Sequence, residues 1–149
     1  MRWLLLVPGM LCAIATGTLQ QTAKPREFTE VHVNDIKWMA NPTLPGSDYA
    51  VLLGDPRVAG PLVMRVRMPP HLHVLPHTHP EPRTYTVLTG EWQLGFGDTF
   101  NEAALQSYPA GSLYRLPKDV AHFQATGAME TIVQIESIGP SDTIFLPKK

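Results

Sequence analysis

The chain has 149 residues, 44% of them apolar and 17% charged, with a formal net charge of −1. That is the length of one domain, too apolar for a disordered polyelectrolyte, and without the basic excess or polybasic run that nucleic-acid binding requires. One Cys, Cys12, excludes an internal disulfide framework and a Cys-based zinc site.

The chain opens Met1-Arg2-Trp3, runs apolar from Leu4 to Ile14, and reaches the small residues Ala15, Thr16 and Gly17. A positive start, a short apolar run and small residues at a cut site make residues 1–15 read as a secretory signal peptide, with Ala13-Ile14-Ala15 as the cleavage candidate and an uncleaved membrane anchor or a cytosolic chain as the alternatives. The run is shorter than the ~20 residues a spanning helix needs and is interrupted by Pro8-Gly9. No membrane span is expected after cleavage, and the mature chain is expected in the periplasm or secreted. Cleavage removes Cys12, and a cysteine-free chain suits an oxidising compartment. Residues 16–30 are polar and aperiodic and read as a linker, leaving 31–147 as the folded domain.

From there the sequence offers short β-rich runs between turn signals. They are Val31–Trp38, Tyr49–Leu53, Leu62–Met68, a run around His77–His79, Arg83–Leu88, Glu91–Phe96, Ser112–Leu116, Ala121–Thr126 and Thr131–Ile138. Leu62–Met68 sets Met64, Val66 and Met68 against Val63, Arg65 and Arg67, a period of two with one apolar face. Fifteen Pro and eleven Gly punctuate the chain, and only Asn101–Gln106 has room for a helical turn. Eight or nine short strands at even spacing predict an all-β sandwich or barrel.

Five of the six His lie between His71 and His122. His77-Thr78-His79 is an H-x-H on a predicted strand edge. Residues i and i+2 of a strand share a face about 6.6 Å apart, so two imidazoles there can converge on one ion. Three neutral His and a water make a catalytic metal shell.

With Gly90 downstream of the H-x-H, and with Gly111, Pro117 and His122 further on, the chain resembles the cupins. Their two motifs read G-x5-H-x-H-x3,4-E-x6-G and G-x5-P-x-G-x2-H-x3-N. His77, His79 and Gly90 fall on the first, Gly111, Pro117 and His122 on the second, and the resemblance covers roughly residues 31–140. It implies a double-stranded β-helix, the cupin jelly-roll barrel, with His77, His79 and His122 as ligands of a divalent transition metal. It also implies a homodimer, since edge strands of such folds often pair between subunits. Similarity to three-His cupin dioxygenases implies Fe, and Zn or Mn suits the same imidazoles.

Four positions depart from the motifs. His71 replaces the opening Gly of the first, Asp119 the Gly of the second, and Thr126 its Asn. Arg83 stands where the family has its metal-binding Glu. A guanidinium about 6 Å from a dication costs about 5.5 kcal/mol at an effective dielectric constant of about 20. Three resolutions are open: Arg83 turns away and pairs with Glu81, an anion such as a substrate carboxylate sits between Arg83 and the metal, or no metal binds. Glu81 itself is flanked by Pro80 and Pro82, which restrict it as a ligand.

Strand parity extends the map. With position 83 facing the lumen, Tyr85 and Val87 follow. With His122 inward, so are Gln124 and Thr126. Met64, Val66 and Met68 belong to the same wall. Arg83, Tyr85, Gln124, Met64, Val66 and Met68 are therefore the pocket candidates for a small-molecule ligand, with satisfied core polar groups as the competing reading of Tyr85 and Gln124. Arg65 and Arg67 read as an outer face. His71 and His73 read as rim residues, His32 as an exposed strand residue, and Trp38 and Trp92 as core packing. Three function classes follow: a metal-dependent dioxygenase- or isomerase-like enzyme, a non-catalytic metal- or ligand-binding protein, and a metal-free barrel with Arg83 filling the site. Fold alone does not choose among them.

Overall fold

A computed structural model describes residues 28–147. The expected signal segment and most of the expected linker lie outside the described residues. In chain order the strands are β1 (Met39–Ala40), β2 (Asp48–Leu53), β3 (Gly60–Met68), β4 (His73–Thr78), β5 (Arg83–Thr89), β6 (Glu91–Phe96), β7 (Gln106–Pro109), β8 (Leu113–Leu116), β9 (His122–Thr126), β10 (Thr131–Gly139) and β11 (Ile144–Phe145).

They form two antiparallel sheets. One runs β1-β2-β3-β10-β5-β8 and the other β11-β4-β9-β6-β7. Alternate side chains of the two inner faces make the core between them, as in any packed pair of sheets. From the first sheet come Val66, Met68, Tyr85, Val87, Leu116, Val133 and Ile135, and from the second Val74 and Trp92. The period-two reading of β3 holds over its second half, where Val66 and Met68 are buried and Arg65 and Arg67 are half-buried, while Met64 is half-buried like Val63. β5 buries Arg83, Tyr85 and Val87 in alternation, so parity places a cation and a phenol on the inner face. β9 is buried at all five positions. Its outward Phe123 is covered by Phe100, ring centroids 5.1 Å apart, and packs over Gly95, where a Cβ would lie 2.3 Å from the Phe123 ring.

Three expectations need correction. Val31–Trp38 is not a strand. Val33–Asp35 makes a 3₁₀ turn closed by Asp35 N–H to His32 O at 2.9 Å. Val33 stays 73% exposed, because with no sheet face to bury the alternation has nothing to act on. Pairing begins only at Met39, opposite Tyr49. His32 is exposed as expected, but on that turn. The helical turn at Asn101–Gln106 shrinks to Glu102–Ala104, capped by Asn101 Oδ1 accepting from Ala103 N–H at 3.1 Å, and Gln106 starts β7. Both β7 and β11 escape the hydrophobic pattern, since their backbone ladders rather than buried faces define them.

The family resemblance places glycines at positions 71 and 119, and the backbone keeps that shape without them. His71 (φ 57°) and Asp119 (φ 62°) are the two non-glycine residues with positive φ among the described residues. Gly90 keeps its glycine for a stronger reason: besides φ 71°, a Cβ there would lie 2.5 Å from the Glu130 carbonyl oxygen.

Candidate metal centre and adjoining cavity

His77 on β4 and His122 on β9 are direct cross-strand partners, and His79 follows one residue past the end of β4. Pairing of β4 with β9 thus brings together residues 45 positions apart that the sequence motifs assigned to one site. The imidazole centroids lie 4.1 Å (His77–His122), 4.9 Å (His77–His79) and 5.0 Å (His79–His122) apart. One nitrogen from each ring comes within 4.8 Å of the others, a set that could hold a metal ion.

The ring orientations decide which nitrogen. Nδ1 of His77 lies 2.7 Å from Leu75 O, Nδ1 of His79 lies 2.9 Å from Asp142 O, and Nδ1 of His122 lies 2.8 Å from Val120 O. A carbonyl oxygen only accepts, so each Nδ1 carries the proton and each Nε2 presents a lone pair. Backbone carbonyls that fix the tautomer in this way are the usual outer partners of metal-ligating His. His122 Nε2 is buried with no hydrogen-bond partner among the described residues. His79 Nε2 accepts from the Tyr85 hydroxyl at 3.1 Å. Burial is the main cause holding His77 down to about pKa 3, with His122 and Arg83 alongside adding to it. Burial and then the Arg83 charge hold His79 down to about 2, and burial lowers His122 as well. All three are neutral at pH 7, as metal ligation requires. An orphaned buried Nε2, three locked tautomers and an all-nitrogen donor set fit a divalent transition metal.

Arg83 pairs with Glu81, as the first of the three resolutions expects, while its charge still acts on all three imidazoles. Its Nε donates to Glu81 Oε1 at 2.7 Å, and the two side chains are each 7% exposed. Nη2 donates to Ser141 Oγ at 2.9 Å and to Asp142 O at 2.6 Å, and Ser141 Oγ donates to Glu81 Oε1 at 2.6 Å. The Asp142 carbonyl therefore orients both His79 and Arg83. Glu81 is turned to the guanidinium and stands outside the histidine group, so it does not replace the missing family carboxylate.

A cavity of about 260 Å³ opens beside the histidines. Every pocket candidate read from parity lies on its wall: Met64, Val66, Met68, Arg83, Tyr85 and Gln124. His77 and His79 also line it. Gln124 Nε2 donates to the Tyr114 hydroxyl at 3.2 Å, which also accepts from Trp92 Nε1 at 2.9 Å. Tyr114 stacks on Tyr85 with centroids 4.9 Å apart. Burial raises the Tyr85 pKa, while Arg83 beside it pulls it down. Trp92, read as plain core packing, is therefore also a wall residue. The outer rim comes from residues the sequence did not single out, Ser141, Asp142, Thr143 and Phe145, with the Phe145 ring 5.5 Å from His77. No local signal marks Ser141 or Asp142, which act at long range and, for Asp142, through the main chain. Tyr114 had a signal, since it shares a strand face with buried Leu116.

The remaining histidines stay out of the site. His71 and His73 are exposed, and His73 stacks on Phe100 at 4.7 Å. Arg67 pairs with Asp48 at 2.7 Å and lies over the Trp38 ring at 4.6 Å. Arg65 Nε donates to Gln134 at 3.0 Å.

The model of the ChrR cupin-like domain matches residues 26–141. The chain belongs to the cupins. Among curated proteins, this cupin is 30% identical over 92 residues to germin-like protein 9-3 of rice, covering 61% of this chain and 36% of that one. It thus spans about a third of that relative's length. Among solved structures it superposes on the polyketide cyclase RemF of Streptomyces resistomycificus with a TM-score of 0.67 at 16% identity, over 82% of this chain and 87% of that one. It also matches the complex of SigE with the anti-sigma ChrR from Rhodobacter sphaeroides, with a TM-score of 0.54 at 15% identity, over 71% of this chain and 50% of that one. These structural likenesses show the jelly-roll fold. Among the described residues no helix is long and apolar enough to cross a membrane.

Proposed function

We propose that this cupin holds one divalent transition metal on His77, His79 and His122 and acts on a small organic molecule in the adjoining cavity, in a dioxygenase- or isomerase-like reaction. The observation that carries the reading is the set of three locked tautomers, with the His122 Nε2 lone pair left over in a buried site. A metal bound there supplies Lewis acidity or, as iron, redox chemistry. The chain supplies the rest. Met64, Val66 and Met68 give an apolar wall that excludes water, and Tyr85 gives a hydroxyl beside the ligand set. The His79 lone pair cannot serve that hydroxyl and a metal together, so Tyr85 is the group whose hydrogen bond is surrendered.

Binding without turnover is the second reading. It is favoured by the diversion of Glu81 to Arg83 and Ser141, which leaves no carboxylate in the histidine group among the described residues. We further propose an exported chain, cleaved after Ala15, and a homodimer.

Elemental analysis of tag-free protein beside an H77A/H122A double variant tests the metal. Near one equivalent of a transition metal in wild type, lost in the variant, is the expected result. No metal after reconstitution with Fe(II), Mn(II) and Zn(II) overturns it and leaves a metal-free barrel. Iron directs a substrate screen to oxygen chemistry, and zinc to Lewis-acid roles.

A further inference from the structure

The cavity wall is chemically mixed. Met64, Val66, Met68, Val133 and Ile135 are among its apolar residues, and Arg83, Tyr85, His77 and His79 are among its polar ones, with Tyr85 in register beside Ile135. Three charged residues line it, and two are turned to other duties at the exposed rim. Arg57 is bound by both its Nε and Nη2 to Asp55, and the Asp142 carboxylate accepts from Thr143 N–H at 2.7 Å. Arg83 is the buried charge of the wall among the described residues.

We propose that the cavity takes a small carboxylate with an apolar body, its carboxylate docked on Arg83. This rests on reading the cavity as the ligand site. The guanidinium is already immobilised from one side: Nε by Glu81, Nη2 by Ser141 and the Asp142 carbonyl. Nη1 takes part in none of these three bonds, and the guanidinium also meets the Tyr85 side chain on the cavity wall. Glu81 does not line the cavity, so it allows a cation to be buried there without occupying the ligand's place. An Arg held in this way loses no rotamer freedom on binding, which is how preorganised sites gain affinity. A planar carboxylate suits a guanidinium edge. The apolar residues of the wall, the lack of a second buried cation on it among the described residues and the volume of about 260 Å³ call for a single-ring or short-chain acid rather than a polyanion.

Benzoate and benzyl alcohol, matched in shape, are the probes. Both are titrated calorimetrically into tag-free wild type and into E81Q/R83Q, which removes both charges together, with metal content measured on each sample. Wild type is expected to bind benzoate about 10-fold or more tightly than the alcohol, as a charge-assisted hydrogen bond supports. In E81Q/R83Q the two probes should fall within about twofold of each other at unchanged metal content, the scale on which neutral contacts differ. Equal binding of the probes by wild type, or a preference that survives in the double variant, overturns the proposal. Where the variant fails to fold, the guanidinium ¹⁵N–¹H signals of Arg83 in wild type decide: they shift with benzoate and not with the alcohol, and no shift with benzoate overturns it. Wild type without metal sinks the metal reading alone, since the probe preference still reports on Arg83.

Discussion

Replacing Glu81 by Leu, and separately Arg83 by Met, tests whether the buried pair is structural. The two side chains are each 7% exposed and meet at 2.7 Å, and Glu81 Oε1 takes a second bond from Ser141 at 2.6 Å. Removing one partner leaves a charge with neither water nor counter-ion, and breaking a buried pair this way costs about 3–5 kcal/mol. A domain of this size loses roughly 3–5 °C of Tm per kcal/mol, so each single variant should melt about 10–20 °C lower. The double variant E81L/R83M replaces both charges by apolar groups of similar volume and should recover most of that loss, because the desolvation cost of the pair disappears with it. Urea denaturation of the four proteins closes the double-mutant cycle. Single-variant losses under about 1 kcal/mol that simply add would be the behaviour of an exposed pair and would refute the reasoning.

Three further outcomes follow from the geometry. Metal-free protein should weaken as pH falls below 6.5, the ordinary His value, because unfolded His77 and His79 take up protons that the folded protein refuses until about pH 3 and about pH 2. The loss is about 1.4 kcal/mol per pH unit for each residue; stability measured flat from pH 7 to 4 would contradict neutral, buried imidazoles. Asp119→Gly should raise stability by about 1 kcal/mol, since φ 62° strains an L residue and suits glycine, while an unchanged or lowered denaturation midpoint would mean the side chain matters more than the backbone. Gly95→Ala should cost about 1–3 kcal/mol by driving a methyl to 2.3 Å from the Phe123 ring, and a silent substitution would show that the outer layer over β9 yields easily.

Much of the site was legible because its signals are local. Period-two alternation put Val66 and Met68 on the inner face, and the same parity carried Arg83, Tyr85 and Gln124 to one cavity. The motif spacing joins His77 and His79 to His122, and the β4–β9 register sets His77 opposite His122. The two glycine departures also carried a readable message, since a position that glycine fills in a motif is often one of positive φ. Val31–Trp38 misled because alternation predicts a strand only where a partner and a buried face exist.

Residue types, spacing and parity determined by themselves the all-β class, the cupin resemblance and the three imidazoles. These are properties of neighbours within a few residues, and a pleated strand turns such neighbours into geometry. What became of Arg83 was decided only by the tertiary structure. Its local partner Glu81 was foreseeable as one of three options, but the choice rests on Ser141 and Asp142, 58 and 59 residues away. The Asp142 contribution is a carbonyl oxygen, which every residue possesses and no sequence pattern marks. Whether a buried charge is tolerable depends on which dipoles the fold delivers around it, and that is settled when the chain after β10 returns to cover the site.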